Sequence, residues 1–183
     1  MYRLTRSGSD FLASLVQVLR VGFTDDPDLW AGAGDRRPYG NFAVDGGSGV
    51  LWAFVMRDAD QVTRFFSFDL PDPAAGEADD SVPGIPVVTL QREDIRSRFD
   101  GGYSRYLQGA AVLDGFLYSL EGFTDSAENP PAIRIFDTRT GSEAGLADLY
   151  GHGYPTEPEL ISVYRGNLYY SDSKGRAYLL KFN

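Results

Sequence analysis

Apolar and polar positions alternate through most of the chain in short runs, the period of strands with one buried face. Three stretches start alike: PYGNFAVDGGSGVLWAFVMRD, YLQGAAVLDGFLYSLEGF and EPELISVYRGNLYYSDSKG. Each sets an apolar strand before a Gly-containing turn, then opens a second strand on Leu followed by Trp or Tyr. These anchors are Leu51-Trp52, Leu117-Tyr118 and Leu168-Tyr169. A third strand follows each pair, in TRFFSFDLP, AIRIFDTRTG and RAYLLKFN. A fourth, outer strand is predicted at 86–90 and at 144–150, and the third unit reaches Asn183 without one of its own.

The segment 15–23, LVQVLRVGF, admits two readings. Phe11, Leu15, Val16 and Leu19 fit helical spacing. The β-branched Val16, Val18 and Val21, with Phe23 and the poor helix former Gly22, favour a strand that could complete the last unit. The stretch 71–86, PDPAAGEADDSVPGIP, reads as a flexible surface loop, and 124–131 as a long hairpin loop.

Repeats of this kind predict an all-β chain of β-propeller-type blades, each a four-stranded antiparallel sheet. The expected organisation is a single domain, 1–183. Residues 1–35 supply strands that could close the last blade, 36–98 and 99–152 are blades, and 153–183 is an incomplete blade. The anchors at 51, 117 and 168 are spaced more widely than the ~40–45 residues of compact repeats. About three blades do not close a ring, since propellers use roughly four to eight. The chain is therefore expected to be part of a larger propeller, or to complete one by homo-oligomerisation.

Composition narrows the chemistry. Eleven Tyr and twelve Phe suit pleated surfaces. With 17 basic and 26 acidic residues the net charge is −9, which argues against a nucleic-acid partner. Cysteine is absent, which excludes disulfides, thiolate nucleophiles and Cys-based zinc sites. No run approaches membrane-spanning length, and the start lacks the long apolar core and cleavage site of a secretory signal. A protein acting outside the cell would then leave by lysis or on a particle.

No catalytic site is assembled in the sequence, and no cofactor is expected. His152 is the sole histidine, flanked by glycines in DLYGHGYPTEPE. Those glycines could let a ligand or metal approach the backbone closely, but His152 more simply reads as a solvent-facing loop residue. Glu157 and Glu159 open the third unit and could form a glycosidase-like pair, although Pro158 between them favours a turn or sheet edge. Loops leading into the innermost strands carry Tyr39, Tyr106, Gln108, Tyr154 and Glu157. In a propeller such loops gather at one end of the central channel. Flat aromatic faces with directional hydrogen bonds are what polar ligands such as carbohydrates require. Tyr39, Tyr106, Gln108, His152, Tyr154, Glu157 and Glu159 are thus the candidate ligand-binding set, with wedging between sheets as the structural alternative for the tyrosines. Trp30 and Trp52 read as core.

At RPYGNFAVDG with LWAFVMRD, YLQGAAVLDGFLYSLEG, IRIFDTRTG and GYPTEPELISVYRGNLYYSD, the chain resembles the β-propeller domain of phage receptor-binding proteins and of teichoic-acid-biosynthesis-protein-C-like proteins. It is more distantly similar to helveticin-type bacteriocins. The resemblance covers most of the chain from about Arg36 onward, and family propellers are longer. It implies a virion-borne or extracellular module of a tail fibre or spike that binds a bacterial cell-wall glycopolymer such as teichoic acid, and it transfers no catalytic residues. A glycan hydrolase or lyase on the same scaffold, and a bacteriocin-like or protein-interaction propeller, are the alternatives.

Overall fold

The computed structural model describes residues 1–30, 32, 40–123, 127–154 and 156–181. Regular structure among them is β throughout, apart from one 3-10 turn at Arg92–Asp94. No helix is long and apolar enough to cross a membrane. A hairpin of β1 (Tyr2–Ser7) and β2 (Asp10–Leu15) comes first, followed by β3 (Val18–Val21). Next come β4 (Gly40–Asp45), β5 (Val50–Arg57), β6 (Val62–Asp69), the short β7 (Val87–Leu90) and β8 (Ser97–Gly102). A second series runs β9 (Leu107–Leu113), β10 (Phe116–Glu121), β11 (Ala132–Asp137) and β12 (Glu143–Asp148). The last is β13 (Pro158–Tyr164), β14 (Asn167–Asp172) and β15 (Ala177–Leu180).

Beside the β1–β2 hairpin, the described residues form three larger antiparallel sheets: β4-β5-β6-β8, β9-β10-β11-β12 and β13-β14-β15. Turn chemistry sets their registers. Between β9 and β10, Asp114 and Gly115 both take positive φ, at 52° and 80°, as a two-residue I′ hairpin requires. Between β11 and β12, the Asp137 carboxylate accepts the backbone N–H groups of Arg139 and Thr140.

The sheets stack face to face, so their middle strands are apolar on both sides. Leu51, Ala53 and Val55 of β5 join Phe66 and Phe68 of β6 in one cluster with Phe23, Leu29 and Trp30. The alternate residues Trp52 and Phe54 point the other way, with Phe65, onto Val112, Leu117 and Phe136 of the second sheet. Tyr118, Leu120 and Ile133 of that sheet meet Ile161, Leu168 and Tyr170 of the third. Trp30 and Trp52 are buried, as read from sequence.

Two expectations about pairing are corrected. The segment 86–90 does form a strand, but β7 is not the outer strand of the first sheet. It pairs in parallel with β3, Val18 opposite Val87 and Val21 opposite Leu90. The outer place belongs to β8, hydrogen-bonded to β6 from Val62–Gly102 to Ser67–Ser97. Apolarity decides this. Leu19, Val21, Val88 and Leu90 pack on the first sheet's core face, whereas SRFDGG offers one apolar ring, Phe99, and suits an edge. Within 15–23 the strand reading holds over the helix, for Val18–Val21. That strand covers the first sheet through β7 and does not complete the last one. The third sheet has three strands among the described residues.

The loop 71–86, expected to be flexible, is tethered by two side chains. Gln17, fully buried, donates its amide to the carbonyls of Asp72 (2.7 Å) and Ala75 (2.9 Å). Arg20 pairs with Asp79 and donates to Ser81 Oγ at 2.8 Å. The Ser81 hydroxyl and then Arg20 hold the Asp79 carboxyl down to about 2.

Candidate functional site

The structure divides the predicted set into two groups. Tyr39 lies outside the described residues, as do 124–126 of the predicted hairpin loop. In the first group Gln108, on β9, donates to Glu157 Oε1 at 3.1 Å and to the Gly122 carbonyl at 3.2 Å. The start of β9 therefore reaches the loop before β13. Tyr106 stacks on Phe123 with ring centroids 4.7 Å apart, and the Arg105 guanidinium lies 5.8 Å from the Tyr106 centroid. Glu159 stands apart. A bulge at Pro158–Leu160 interrupts the β13 pairing, and Glu159 is exposed there while Glu157 is half-buried. The two carboxylates thus occupy different environments, and Pro158 sits on the sheet edge as expected.

His152 and Tyr154 belong to the second group. Gly151 N–H donates to the Asp148 carboxylate at 2.8 Å, and Tyr154 N–H to the Leu149 carbonyl at 2.8 Å, coiling this loop over the end of β12. The loop forms one wall of a cleft of about 740 Å³ between the second and third sheets. Tyr170, Tyr178 and Lys181 complete it on the other side, with Leu149 and Leu180 beneath. Tyr154 meets Tyr178 edge to face at 5.2 Å and is 42% exposed. Tyr178 stacks on Tyr170 at 4.7 Å with planes 15° apart.

The cluster is fixed from behind by Asp172, whose side chain is inaccessible to solvent. Its Oδ2 accepts from Thr156 (2.7 Å), Arg176 (2.8 Å) and Tyr178 Oη (3.0 Å). Its Oδ1 accepts the N–H groups of Lys174 and Arg176, both at 3.0 Å. Burial pushes this carboxyl up, but the donors outweigh it and hold it below the ordinary carboxylate range. Burial raises the Tyr170 phenol, with Tyr178 adding to the effect. Burial also raises Tyr178, whose proton Asp172 retains. Both phenols are neutral at physiological pH. The cleft offers apolar aromatic surface, neutral hydroxyls and the Lys181 cation at its rim.

A smaller hollow of about 450 Å³ beside Arg105 and Glu128 is backed by internal ion pairs. There Arg134 bonds Glu121 at 3.0 Å and Glu143 at 2.8 Å. Burial raises the Glu121 carboxyl, and Arg134 offsets this in part.

Tyr170, Asp172, Tyr178 and Lys181 escaped the sequence reading, because NLYYSD and RAYLLKFN show only strand patterns. The β14–β15 register, Tyr170 opposite Tyr178, creates the stack. An Asp opening the SDSKG turn is the one local signal that could have drawn notice. No protein-family model matches the chain, and no curated protein matches it.

Proposed function

We propose that this chain is a recognition module for a bacterial cell-surface glycopolymer, of the teichoic-acid type, serving as the receptor-binding part of a phage tail fibre, and that its sheets are propeller blades. The observation that carries the ligand class is the tyrosine cleft. Its volume of about 740 Å³ falls within the range of ligand sites and accommodates a few sugar or polyol units. The exposed Tyr154 ring supplies a stacking face for a pyranose, and an anionic phosphodiester finds Lys181 at the rim. That local cation bears on a chain of net charge −9, which would otherwise repel an anionic polymer. Supporting the propeller reading, β9 lies beside both β4 and β13, so the first strands of the three sheets neighbour one another.

The test is retention of the purified chain on bacterial cell walls before and after chemical stripping of teichoic acids and their sugars. Retention should disappear with the polymer. Tyr154→Ala and Lys181→Ala should each weaken it, Tyr154→Ala by about ten-fold, the scale of one aromatic contact. Folded protein that ignores a broad panel of walls would refute the reading. Release of soluble fragments would instead make the chain a glycan-degrading enzyme.

A further inference from the structure

Two inter-sheet pockets flank β12, one on each of its faces. Ala147 faces the tyrosine cleft, and its neighbour Leu146 faces the smaller hollow between the first and second sheets. Their surroundings repeat. Glu121 closes β10 and Asp172 closes β14, so each is the last residue of its sheet's second strand. Both are buried, and each accepts from an arginine further along the chain, Arg134 at 3.0 Å and Arg176 at 2.8 Å. The connection leading into each sheet adds a tyrosine, Tyr103 before β9 and Tyr154 before β13. The hollow is thus the counterpart of the cleft, one sheet earlier.

The hollow is polar from wall to rim. Glu121 and Arg134 stand in its wall with their side chains 6% and 17% exposed. Gly102, at the end of β8, lies against the Arg134 guanidinium, where a Cβ would come within 2.7 Å of it. Behind this pair, Ser119 is directly opposed to Arg134 across β10 and β11, and Thr63 shares the inward face of Phe65 on β6. Both are buried, and their hydroxyls have no hydrogen-bonding partner among the described residues. The space between the two sheets, apolar around Phe65 and Phe136, therefore turns polar toward the hollow and disfavours an apolar occupant. Glu128, Asn129 and Arg105 add a carboxylate, an amide and a cation at the rim.

We propose that the hollow is a second ligand site, and that it takes a neutral sugar ring. Its charges select this class. Arg105 and Arg134 are matched by Glu121 and Glu128, so neither an anion nor a cation gains a net charge partner. Glu143, bonded to Arg134 at 2.8 Å, adds a further carboxylate against an anion. Adjacent hydroxyls on a neutral ring both donate to carboxylates and accept from amides and guanidinium groups, which is the mixture this lining offers. Tyr103 and the 51% exposed Leu146 supply apolar surface for the ring itself. The volume of about 450 Å³ lies within the range of ligand sites. The tyrosine cleft differs by its unbalanced cation, Lys181. This site stands on its own pocket and holds whether or not the cleft binds a polymer. The sugar is either free or a neutral branch of a larger glycan.

Methyl glycosides of glucose, galactose and N-acetylglucosamine, titrated into the isotope-labelled chain up to about 50 mM, span the millimolar affinity expected of one small site. At least one should shift the amide resonances of Tyr103, Ser104 and Asn129 saturably. Glu128→Gln with Asn129→Ala should weaken that binding about ten-fold, the scale of one or two hydrogen bonds. Leu146→Trp fills the hollow from an exposed position on an edge strand and should abolish it, with unchanged circular dichroism. Tyr154→Ala and Lys181→Ala should leave it intact, which separates a failure of this site from a failure of the cleft. Displacement of the glycoside by an oligosaccharide carrying that sugar as a branch would identify a glycan as the source, and no displacement a free sugar; either result upholds the site. No saturable shift with any of the three glycosides overturns the proposal. So does binding that survives both hollow variants or disappears with Tyr154→Ala, or a stronger response to inorganic phosphate or methylammonium than to every glycoside.

Discussion

Asp172 shows how one residue links stability to the candidate site. Its carboxylate accepts five hydrogen bonds, from Thr156, Tyr178, Lys174 and two groups of Arg176. Burial alone would disfavour the charge, so the donors determine the sign. A folded pKa below the unfolded value of about 3.9 stabilises the protein at pH values above it. The contribution is lost as pH falls through that value toward the folded pKa. Replacing Asp172 with Asn should lower stability at neutral pH and flatten its decline in acid. Urea titrations at a series of pH values would measure both, and equal slopes in the two proteins would contradict this account. Tyr178→Phe removes one donor from Asp172 and keeps the ring. It should cost about 1–3 kcal/mol while preserving the cleft's stacking surface.

At the level of elements, close packing decides what each strand tolerates. Phe65, Phe99 and Phe136 meet within 4.9–5.4 Å between the first and second sheets. Phe136→Ala should therefore cost about 3–5 kcal/mol, read as a lowered urea midpoint. Gly101 on β8 is needed for the opposite reason, since a methyl group there would run into the Phe136 ring. Gly101→Ala should destabilise by about 1–3 kcal/mol through overpacking. The Gln17 tether behaves differently. Removing its amide in Gln17→Ala leaves the Asp72 and Ala75 carbonyls without that donor. Hydrogen exchange should then accelerate in the loop 71–86 more than in the stacked sheets, as in any locally opened segment.

For the whole molecule, the glycan-binding proposal predicts that retention depends on how many clefts one support presents. Linked sites bind a repeating surface more tightly than any single site does, without new contacts. The chain coupled densely to beads should thus hold intact walls roughly 10²-fold more tightly than the free chain binds a short soluble oligosaccharide. Equal apparent affinities in the two formats would contradict a repeating polymer as the ligand.

The sequence by itself determined the β class, most of the strands and the hairpin turns. These depend on local alternation and on residues such as Asp114 and Gly115, whose backbone preferences need no distant partner. Burial of Trp52 was legible for the same reason, and burial of Trp30 from the size of its apolar ring. Only the tertiary structure decided that β7 joins β3 while β8 completes the first sheet. Short strands carry too little pattern to name their neighbours, and long-range packing chooses among equivalent pairings. The candidate site divides along the same line. Gln108 and Glu157, both singled out in the sequence, are brought within hydrogen-bonding distance where β9 meets the loop before β13. The Tyr154–Tyr178–Tyr170 cluster depends on strand register and on a buried carboxylate, and residues that are strand-like in sequence become a cleft only when two sheets are stacked.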